Sequence, residues 1–406
     1  MKYLLQLCLV VFICNGCNSQ SGPAKTKVVP VTNPNQVIAT TTDTSAAAVS
    51  HDTLLNDYAL FLAGMPAMNA KNIPAKITNN QFYKKFETDM NTNFGKIDQN
   101  RLSLMRSWAK TELKTEQDQP LTLFYPFSGP DILHALAFYP NAKQYVMIAM
   151  ERPGDIPNIQ KMDSASSAYY LNSVYQSLQD IFEKSYFITH KMMNDLQKVK
   201  VNGVTPLLVV FLERTGHSVV AIHKCHLNDN GTTSQLAADS VPNHVNDFIE
   251  IYFRTQGTDT LRKITYFRAN LGDEGFEGLP SLKQNKTLQT YLINMPDHYM
   301  YAKSASYLMN YKTFSAIRDV CLAKSKSILQ DDTGIGFTYI DKKVWKVKLY
   351  GHYVTPVRDF KGVYDESLAK AYAADTLAVK PLNFSLGYHW GNINNQNLMK
   401  AERIAK

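Results

Sequence analysis

The sequence lacks the short motifs that identify most large enzyme families. It contains no phosphate-binding Walker loop, dinucleotide fingerprint, HExxH zinc motif or nucleophile elbow. Ser367 and Lys370 have the S-x-x-K spacing of penicillin-binding enzymes, but they lie late in the chain and lack the companion motifs. These absences leave no ground for predicting a cofactor.

The N-terminus has no apolar segment long enough to cross a bilayer. Its apolar segment, Leu4–Ile13, is too short to span the membrane as a helix. Preceded by Lys2, it has the pattern of a signal peptide. The next residues, Cys14-Asn15-Gly16-Cys17, resemble the lipobox of bacterial lipoproteins. In a lipobox, a small residue precedes a cysteine that is diacylated and becomes the new N-terminus. The last two residues match this pattern, and the first two are unusual at their positions.

This resemblance implies a signal peptide over residues 1–16 and lipidation of Cys17. Two acyl chains would anchor the protein stably to a membrane of the bacterial envelope, on its periplasmic or cell-surface face. Residues 17–50 are rich in Ser, Thr, Asn, Pro and Ala and have no periodic apolar pattern. They are predicted to form a disordered tether that holds the domain about 30 Å from the surface.

Cysteine is scarce, with five residues of which three precede residue 18. The mature domain would keep Cys225 and Cys321. In an oxidising envelope the two could form a disulfide, which would stabilise the fold by ~4–5 kcal/mol because it closes a long loop. Cys321 also continues an apolar helical stripe with Ile317 and Val320, and this position favours a buried thiol.

Charge of one sign is not concentrated anywhere in the chain. Lys and Arg number 43 against 35 Asp and Glu, a net charge of +8 that is spread along the sequence. The densest basic run is Lys342, Lys343, Lys346 and Lys348, in a segment that alternates like a strand. Such lysines are typical of a solvated face or a protected sheet edge. No nucleic-acid-binding motif accompanies them, so no nucleic-acid partner is predicted.

Apolar patterning predicts an α/β or α+β fold with a mixed β-sheet. The strand-like run Leu121–Phe127, a short helical pattern and the run Lys143–Glu151 make a βαβ unit with two parallel strands. Phe248–Thr255 and Leu261–Asn270 flank a turn and predict an antiparallel hairpin.

The loop Gly272–Pro280 is the predicted boundary between an α/β lobe, residues 51–275, and a helical lobe with C-terminal strands, residues 276–406, unless both form one continuous domain. Further predicted strands are Pro206–Glu213, Ser218–Leu227, Gly336–Ile340, Val344–Val354 and Asn383–Trp390. Further predicted helices are Thr53–Ala63, Asp163–Val199, Thr313–Gln330 and Glu366–Ala374.

A polar group follows the first strand of the βαβ unit. Ser128 lies at the expected helix N-cap with Asp131 three residues on, a capping-box-like pattern, and His134 lies one turn later on the same side. Because parallel strands end at one edge of a sheet, Glu151 and Arg152 should lie nearby. One interpretation is purely structural, with Ser128 capping its helix.

The second interpretation is a hydrolase. Ser128 or a water would be the nucleophile, His134 the base, Asp131 its orienting partner, and Arg152 the group that holds an anion. A variant of this interpretation uses Asp131, Glu151 and Asp155 as ligands of a hard cation for phosphate-ester chemistry.

Three histidines and a cysteine in and beside the predicted strand Ser218–Leu227 are candidate metal ligands. His223 and Cys225 share one face, whereas His226 points to the other, and His217 lies six residues from His223. No fourth ligand lies nearby, so no metal site is predicted. The pair Asp331 and Asp332 is assigned to turn chemistry.

Four stretches, Tyr125–Asp131, Lys303–Met309, Phe314–Arg318 and Gln330–Gly334, are similar to a family of large bacterial envelope proteins that has no assigned activity. The resemblance covers most of residues 120–390 and implies a single elaborate fold without naming a reaction. Together with the lipobox and the missing enzyme motifs, it favours a membrane-anchored binding or scaffolding module. The hydrolase remains the alternative.

Overall fold

A computed structural model describes residues 49–187, 201–242, 244–276, 278–374 and 378–404. The predicted signal peptide, Cys17 and all of the predicted tether except its last two residues lie outside this part of the chain. The end of the helix predicted over Asp163–Val199 lies outside it as well.

Ten strands are found among the described residues. They are β1 (Thr122–Pro126), β2 (Gln144–Ala149), β3 (His217–Leu227), β4 (Thr233–Gln235), β5 (Asp247–Thr255), β6 (Leu261–Arg268), β7 (His298–Ala302), β8 (Ser325–Gln330), β9 (Trp345–Gly351) and β10 (Asn397–Arg403). All ten form one mixed sheet in the order β4-β3-β5-β6-β2-β1-β7-β8-β10-β9. The α/β fold with a mixed sheet is therefore confirmed.

The same part of the chain contains eleven α-helices. They are α1 (Thr53–Leu62), α2 (Ala75–Thr78), α3 (Gln81–Ile97), α4 (Ser103–Glu112), α5 (Lys114–Gln117), α6 (Ile132–Phe138), α7 (Ser164–Lys184), α8 (Thr205–Arg214), α9 (Lys286–Asn294), α10 (Ser315–Lys324) and α11 (Glu366–Ala374). A π-helical turn, Asp98–Leu102, joins α3 to α4.

The five central strands, β6, β2, β1, β7 and β8, run parallel, and antiparallel strands lie on both sides of them. Helices cover both faces, as parallel sheets require. Leu123 and Tyr125 of β1 join a core with α1, α3, α4, α6, α7 and α8. Phe124 points to the other face, into a core with α9, α10 and α11. Burial on both faces explains why apolar residues dominate the run Leu121–Phe127.

Local patterns identified two units of the sheet correctly. The segment β1–α6–β2 is the predicted βαβ unit, with Thr122 opposite Gln144 in parallel register. Strands β5 and β6 form the predicted hairpin, with Phe248 opposite Phe267. Strands from both sides of the loop Gly272–Pro280 belong to the same sheet.

The prediction of a strand over Pro206–Glu213 is wrong, because this segment lies in helix α8. Every residue from Thr205 to Glu213 is buried, so the sequence shows no polar face from which a helical period could be read. Pro206 lies in the first turn of the helix, where its missing N–H costs nothing.

The helix predicted over Thr313–Gln330 is only half correct. Helix α10 ends at Lys324, and the next six residues form β8 between β7 and β10. The predicted strand Gly336–Ile340 contains a 3₁₀ turn, Phe337–Tyr339. In these segments, tertiary pairing overrides local propensity.

The position predicted for the last strand is also wrong. The predicted strand Asn383–Trp390 contains a 3₁₀ turn, Gly387–His389, and the chain's last strand is β10. The β10 sequence, NLMKAER, consists mostly of helix-favouring residues. It is held extended by pairing with β8 on one side and β9 on the other.

Cys225 and Cys321 are both buried free thiols. Among the described residues, no helix is both long enough and apolar enough to cross a membrane.

Glu213 generates a prediction about pH. This side chain in the last turn of α8 is 1% exposed, and its Oε1 accepts a hydrogen bond from the Val219 amide at 3.0 Å. Burial raises the pKa of Glu213 to about 8, so the carboxyl is protonated at neutral pH. Because the folded pKa lies above the unfolded value, its contribution to stability is present at low pH and is lost as pH rises towards 8.

We therefore expect Glu213→Gln to melt at about the wild-type temperature near pH 4.5, where the glutamate is partly protonated even in the unfolded chain, and several degrees higher at pH 9, measured by circular dichroism. The matched control is Glu366→Gln, because the Glu366 side chain is 80% exposed and should show no such pH-dependent difference. A Glu213→Gln variant that is no more stable than wild type at pH 9 would contradict the assignment.

Candidate functional site

The sheet changes its direction of growth at β1. The chain goes from β1 to β2 on one side and later adds β7 on the other side of β1. In open α/β sheets, ligands bind at such a switch point, outside the carboxyl ends of the strands, where the loops diverge. We call the loops that follow β1, β7 and β8 at this end, residues 127–131, 303–307 and 331–334, the switch-point edge.

Unusual backbone conformations concentrate at this edge. Five non-glycine residues in the described chain have left-handed φ angles, between 53° and 72°: Phe127, Ser185, Ser304, Ser306 and Tyr307. Four of them lie on the loops after β1 and β7, and Ser185 ends α7 with its carbonyl at the same edge. Such strained residues persist only where the surrounding structure holds them, and they cluster at functional sites.

Asp131, not Ser128, caps helix α6. The Oδ1 atom of Asp131 accepts a hydrogen bond from the amide of His134 at 3.2 Å. The Ser128 hydroxyl instead lies 3.0 Å from the Gly129 carbonyl and 3.4 Å from the Ile148 carbonyl. The prediction that Ser128 caps the helix is wrong, because the chain first turns through Gly129 and Pro130 and α6 begins only after Asp131.

A buried polar cluster is built around the Asp131 carboxylate. Its Oδ1 lies 2.7 Å from His134 Nδ1, and its Oδ2 lies 2.6 Å from Lys303 Nζ and accepts from the Tyr125 hydroxyl at 3.1 Å. Lys303 also donates to the carbonyl of Ser185. All four side chains are at most 3% exposed. We call Tyr125, Asp131, His134 and Lys303 the switch-point cluster.

Burial sets the protonation of this cluster. It lowers the pKa of His134 to about 4, although the charge of Asp131 acts in the opposite direction, so the imidazole is neutral at pH 7. Burial also lowers the pKa of Lys303, again opposed by Asp131. Burial acts to raise the pKa of Asp131, but its two basic neighbours hold it well below the usual range.

The position of the His134 proton follows from these contacts. Nδ1 lies 2.7 Å from the Asp131 carboxylate and 3.2 Å from Lys303 Nζ. The shorter contact, with a negatively charged acceptor, places the proton on Nδ1, which donates a hydrogen bond to Asp131. The Nε2 atom is then left with a lone pair, and it has no hydrogen-bond partner among the described residues. This is the orientation in which a histidine can act as a base.

Arg101 brings a second cation close to Asp131. It lies in the π-helical turn between α3 and α4, is 9% exposed, and donates to the Ile181 carbonyl at 3.1 Å. Burial lowers the pKa of Arg101 to about 10, and the charge of Asp131 opposes this shift. π-helical turns occur frequently at functional sites.

A second polar group follows β8. Asp331 accepts hydrogen bonds from the amides of Ser304 at 2.9 Å and Thr333 at 3.0 Å. Asp332 lies 3.1 Å from His389 Nε2 and accepts from the Asn397 amide group at 3.1 Å. These two aspartates therefore tie the loop after β7 to β10 and to the turn at His389.

The Asp332 carboxylate alters the ionisation of its buried neighbours Asp331 and His389. Burial, and then the charge of Asp332, raise the pKa of Asp331 to about 6. Burial opposes protonation of His389, but its hydrogen bond to Asp332 and the charges of both aspartates raise its pKa overall. The Asp331 and Asp332 side chains line a small cavity with Tyr372 and Asn397 that has room for about one water molecule.

Gly387 lets the loop before β10 close onto this edge. It adopts φ +57°, and a Cβ atom at this position would lie only 2.4 Å from Asp331 Oδ2. Any larger residue would push the loop away from the carboxylate.

The residues predicted after β2 are arranged differently. Glu151 is buried and its carbonyl accepts from the Tyr266 hydroxyl at 3.0 Å. The Arg152 side chain is exposed. Asp155 forms an ion pair with Lys224 of β3 at 2.9 Å. Of the predicted site residues, Asp131 and His134 form a hydrogen bond to each other, whereas the Arg152 side chain lies at the surface.

Sequence reasoning missed Lys303, Asp331, Asp332 and His389. The first three lie in two of the stretches that carry the sequence resemblance, Lys303–Met309 and Gln330–Gly334, which follow β7 and β8. Predicting a helix through Gln330 concealed the strand end at which the aspartates lie. Comparisons with models of protein families, with curated proteins and with solved structures found no match to this chain.

The ion pair at the centre of the cluster can be tested by a double-mutant cycle. Lys303→Met leaves the buried Asp131 carboxylate without its cation, and we expect it to lower the free energy of unfolding by about 3–5 kcal/mol. The double variant Asp131→Asn/Lys303→Met should lose less than the two single variants added together, because neither residue leaves an unpaired buried charge. Urea denaturation measures all three.

The matched control is Lys85→Met. Its partner is Asp89 at 2.7 Å, but the Lys85 side chain is 74% exposed, so a much smaller loss is expected. If Lys303→Met were as stable as Lys85→Met, the pair would not hold the edge together.

Proposed function

We propose that this chain is a membrane-anchored bacterial envelope lipoprotein whose folded domain is a binding or scaffolding module, with the switch-point edge as its binding surface. The lipobox at Cys17 supports the anchor and the envelope location. The observation that favours binding over catalysis is the internal pairing of the cluster. The ammonium of Lys303 is bonded to Asp131 and to the Ser185 carbonyl, and the Ser128 hydroxyl is bonded to carbonyls.

A catalytic side chain has to reach its substrate at hydrogen-bond distance. Ser128 is 4% exposed and His134 is fully buried, so neither presents a reactive atom to solvent. Buried and mutually satisfied groups instead fix the shape of the loops that carry them.

Polar and aromatic groups that are buried or half-buried pack against these loops. The Tyr388 hydroxyl lies 2.7 Å from the Ser306 hydroxyl and donates to the Ser304 carbonyl at 3.1 Å. The rings of Tyr186 and Phe360 pack against Tyr388, with centroids 4.5 Å and 5.2 Å away. We call Tyr186, Phe360 and Tyr388 the aromatic rim. Rings with a polar end are frequent in binding sites because they combine apolar contact with hydrogen bonding.

Cys17→Ser tests the anchor. Expressed in a bacterial host with an alkyne-labelled fatty acid, the wild-type chain should incorporate label and sediment with membranes, because Cys17 carries the acyl chains. Cys17→Ser should lose both properties. Cys14→Ser is the control and should keep both. Labelling that persists in Cys17→Ser would refute the anchor.

The second candidate function is a hydrolase, and one observation favours it. The Asp131–His134 pair has the geometry of an oriented base, with Nδ1 on the carboxylate and Nε2 without a partner among the described residues. A water would be the nucleophile, since the Ser128 hydroxyl is bonded to backbone carbonyls.

His134→Gln separates the two functions. Hydrolysis of p-nitrophenyl acetate and p-nitrophenyl phosphate would be followed for wild type, His134→Gln and Ser128→Ala, with melting temperatures as folding controls. The binding module predicts that no variant differs from wild type. A hydrolase predicts that His134→Gln loses about 10²–10⁴-fold in rate while Ser128→Ala stays near wild type. That second result would replace the binding proposal.

A further inference from the structure

A separate group of metal-ligating side chains lies at the ends of β3 and β5. His226 is near the end of β3, Asp247 begins β5, and His244 lies in the turn before it. One ligand atom from each residue lies within 4.8 Å of the other two. Four strand spacings separate β3 from β1, so this group is about 19 Å along the sheet from the switch-point cluster.

The group is held in place by the fold. His226 and Asp247 are directly opposite each other in the antiparallel register, with His226 Nδ1 2.7 Å from Asp247 Oδ1. Asp247 stabilises the turn before β5 through two hydrogen bonds to His244. Its Oδ2 accepts from the His244 amide at 2.7 Å, and its own amide donates to the His244 carbonyl at 2.9 Å. The two imidazole rings lie 5.0 Å apart.

Hydrogen bonds also indicate which nitrogen atoms can bind a cation. His244 Nδ1 accepts the Asn246 amide at 3.2 Å, so it carries a lone pair and no proton. His226 Nδ1 faces a carboxylate and holds the proton that it shares with Asp247. A divalent cation in place of that proton would meet His226 Nδ1 and Asp247 Oδ1. It would also bind His244 Nδ1 once that atom gives up its hydrogen bond from the Asn246 amide, which would then bond to water. The proton would move to His226 Nε2 or to solvent.

The donor set selects the kind of metal. Two imidazoles and one carboxylate suit zinc and its neighbours in the first transition series, whereas Ca²⁺ and Mg²⁺ prefer oxygen ligands alone. The carboxylate provides the negative charge. His244 is exposed and the His226 side chain is 28% exposed, so a fourth position remains open to water.

We propose that His226, His244 and Asp247 form a three-ligand site for a divalent transition-metal ion, with zinc as the first choice. The sequence analysis considered His226 as a ligand only together with His217, His223 and Cys225, and for that set it predicted no metal site. The other two ligands are His244, in the turn before β5, and Asp247, the first residue of β5, and strand pairing brings them close to His226. The proposal does not depend on the function proposed for the switch-point edge.

Isothermal titration calorimetry of the full chain, purified in detergent micelles with a tag that lacks histidine, tests the site. We expect one Zn²⁺ per chain at this site, no comparable binding of Mg²⁺, and at least a tenfold weaker Zn²⁺ affinity in both His226→Gln and His244→Gln. His223→Gln is the matched control, because His223 lies on the same strand with its ring against Tyr252, and it should bind like wild type.

His244 is exposed, so its variant should fold even if His226→Gln does not. The proposal is overturned if Zn²⁺ shows no saturable binding, or if His244→Gln binds it as tightly as His223→Gln.

Discussion

The ion pair between Asp131 and Lys303 is the interaction on which the switch-point edge depends. At 2.6 Å, with both side chains almost fully buried, it joins the loop after β1 to the loop after β7. Neither charge could stay in this interior alone, because desolvating a single ion costs several kcal/mol. The pair therefore requires both strand ends to lie side by side, and the start of α6 and the end of α7 are arranged around it.

Asp331 extends the same constraint to the next strand. Its carboxylate accepts the amide of Ser304, the residue after Lys303, so the loops after β7 and β8 cannot move independently. Asp332 then links β8 to β10 through Asn397 and to the 3₁₀ turn through His389. A polar network of this kind specifies one arrangement of the loops, because any alternative would leave buried charges without partners. The left-handed residues Ser304, Ser306 and Tyr307 are tolerated for this reason.

The elements that sequence patterns predicted correctly are those whose neighbours are close in the chain. The unit β1–α6–β2 and the hairpin β5–β6 follow from apolar runs separated by short connections. The errors occur at α8, β8 and β10. Helix α8 is buried on all sides and so has no polar face, and β8 and β10 are strands only because distant strands pair with them. Periodicity carries no information about either circumstance.

The residues of the candidate site also fall into two groups, those placed by local sequence and those placed by pairing of distant strands. The placement of Asp131 and His134 one helical turn apart after a buried strand follows from the residue spacing alone, because that spacing is a property of the local helix. The position of β7 beside β1, which brings Lys303 and Asp331 to this edge, depends on long-range strand pairing. The tertiary structure also decided the protonation of these groups, because a pKa depends on the burial and the neighbouring charges that the folded chain supplies.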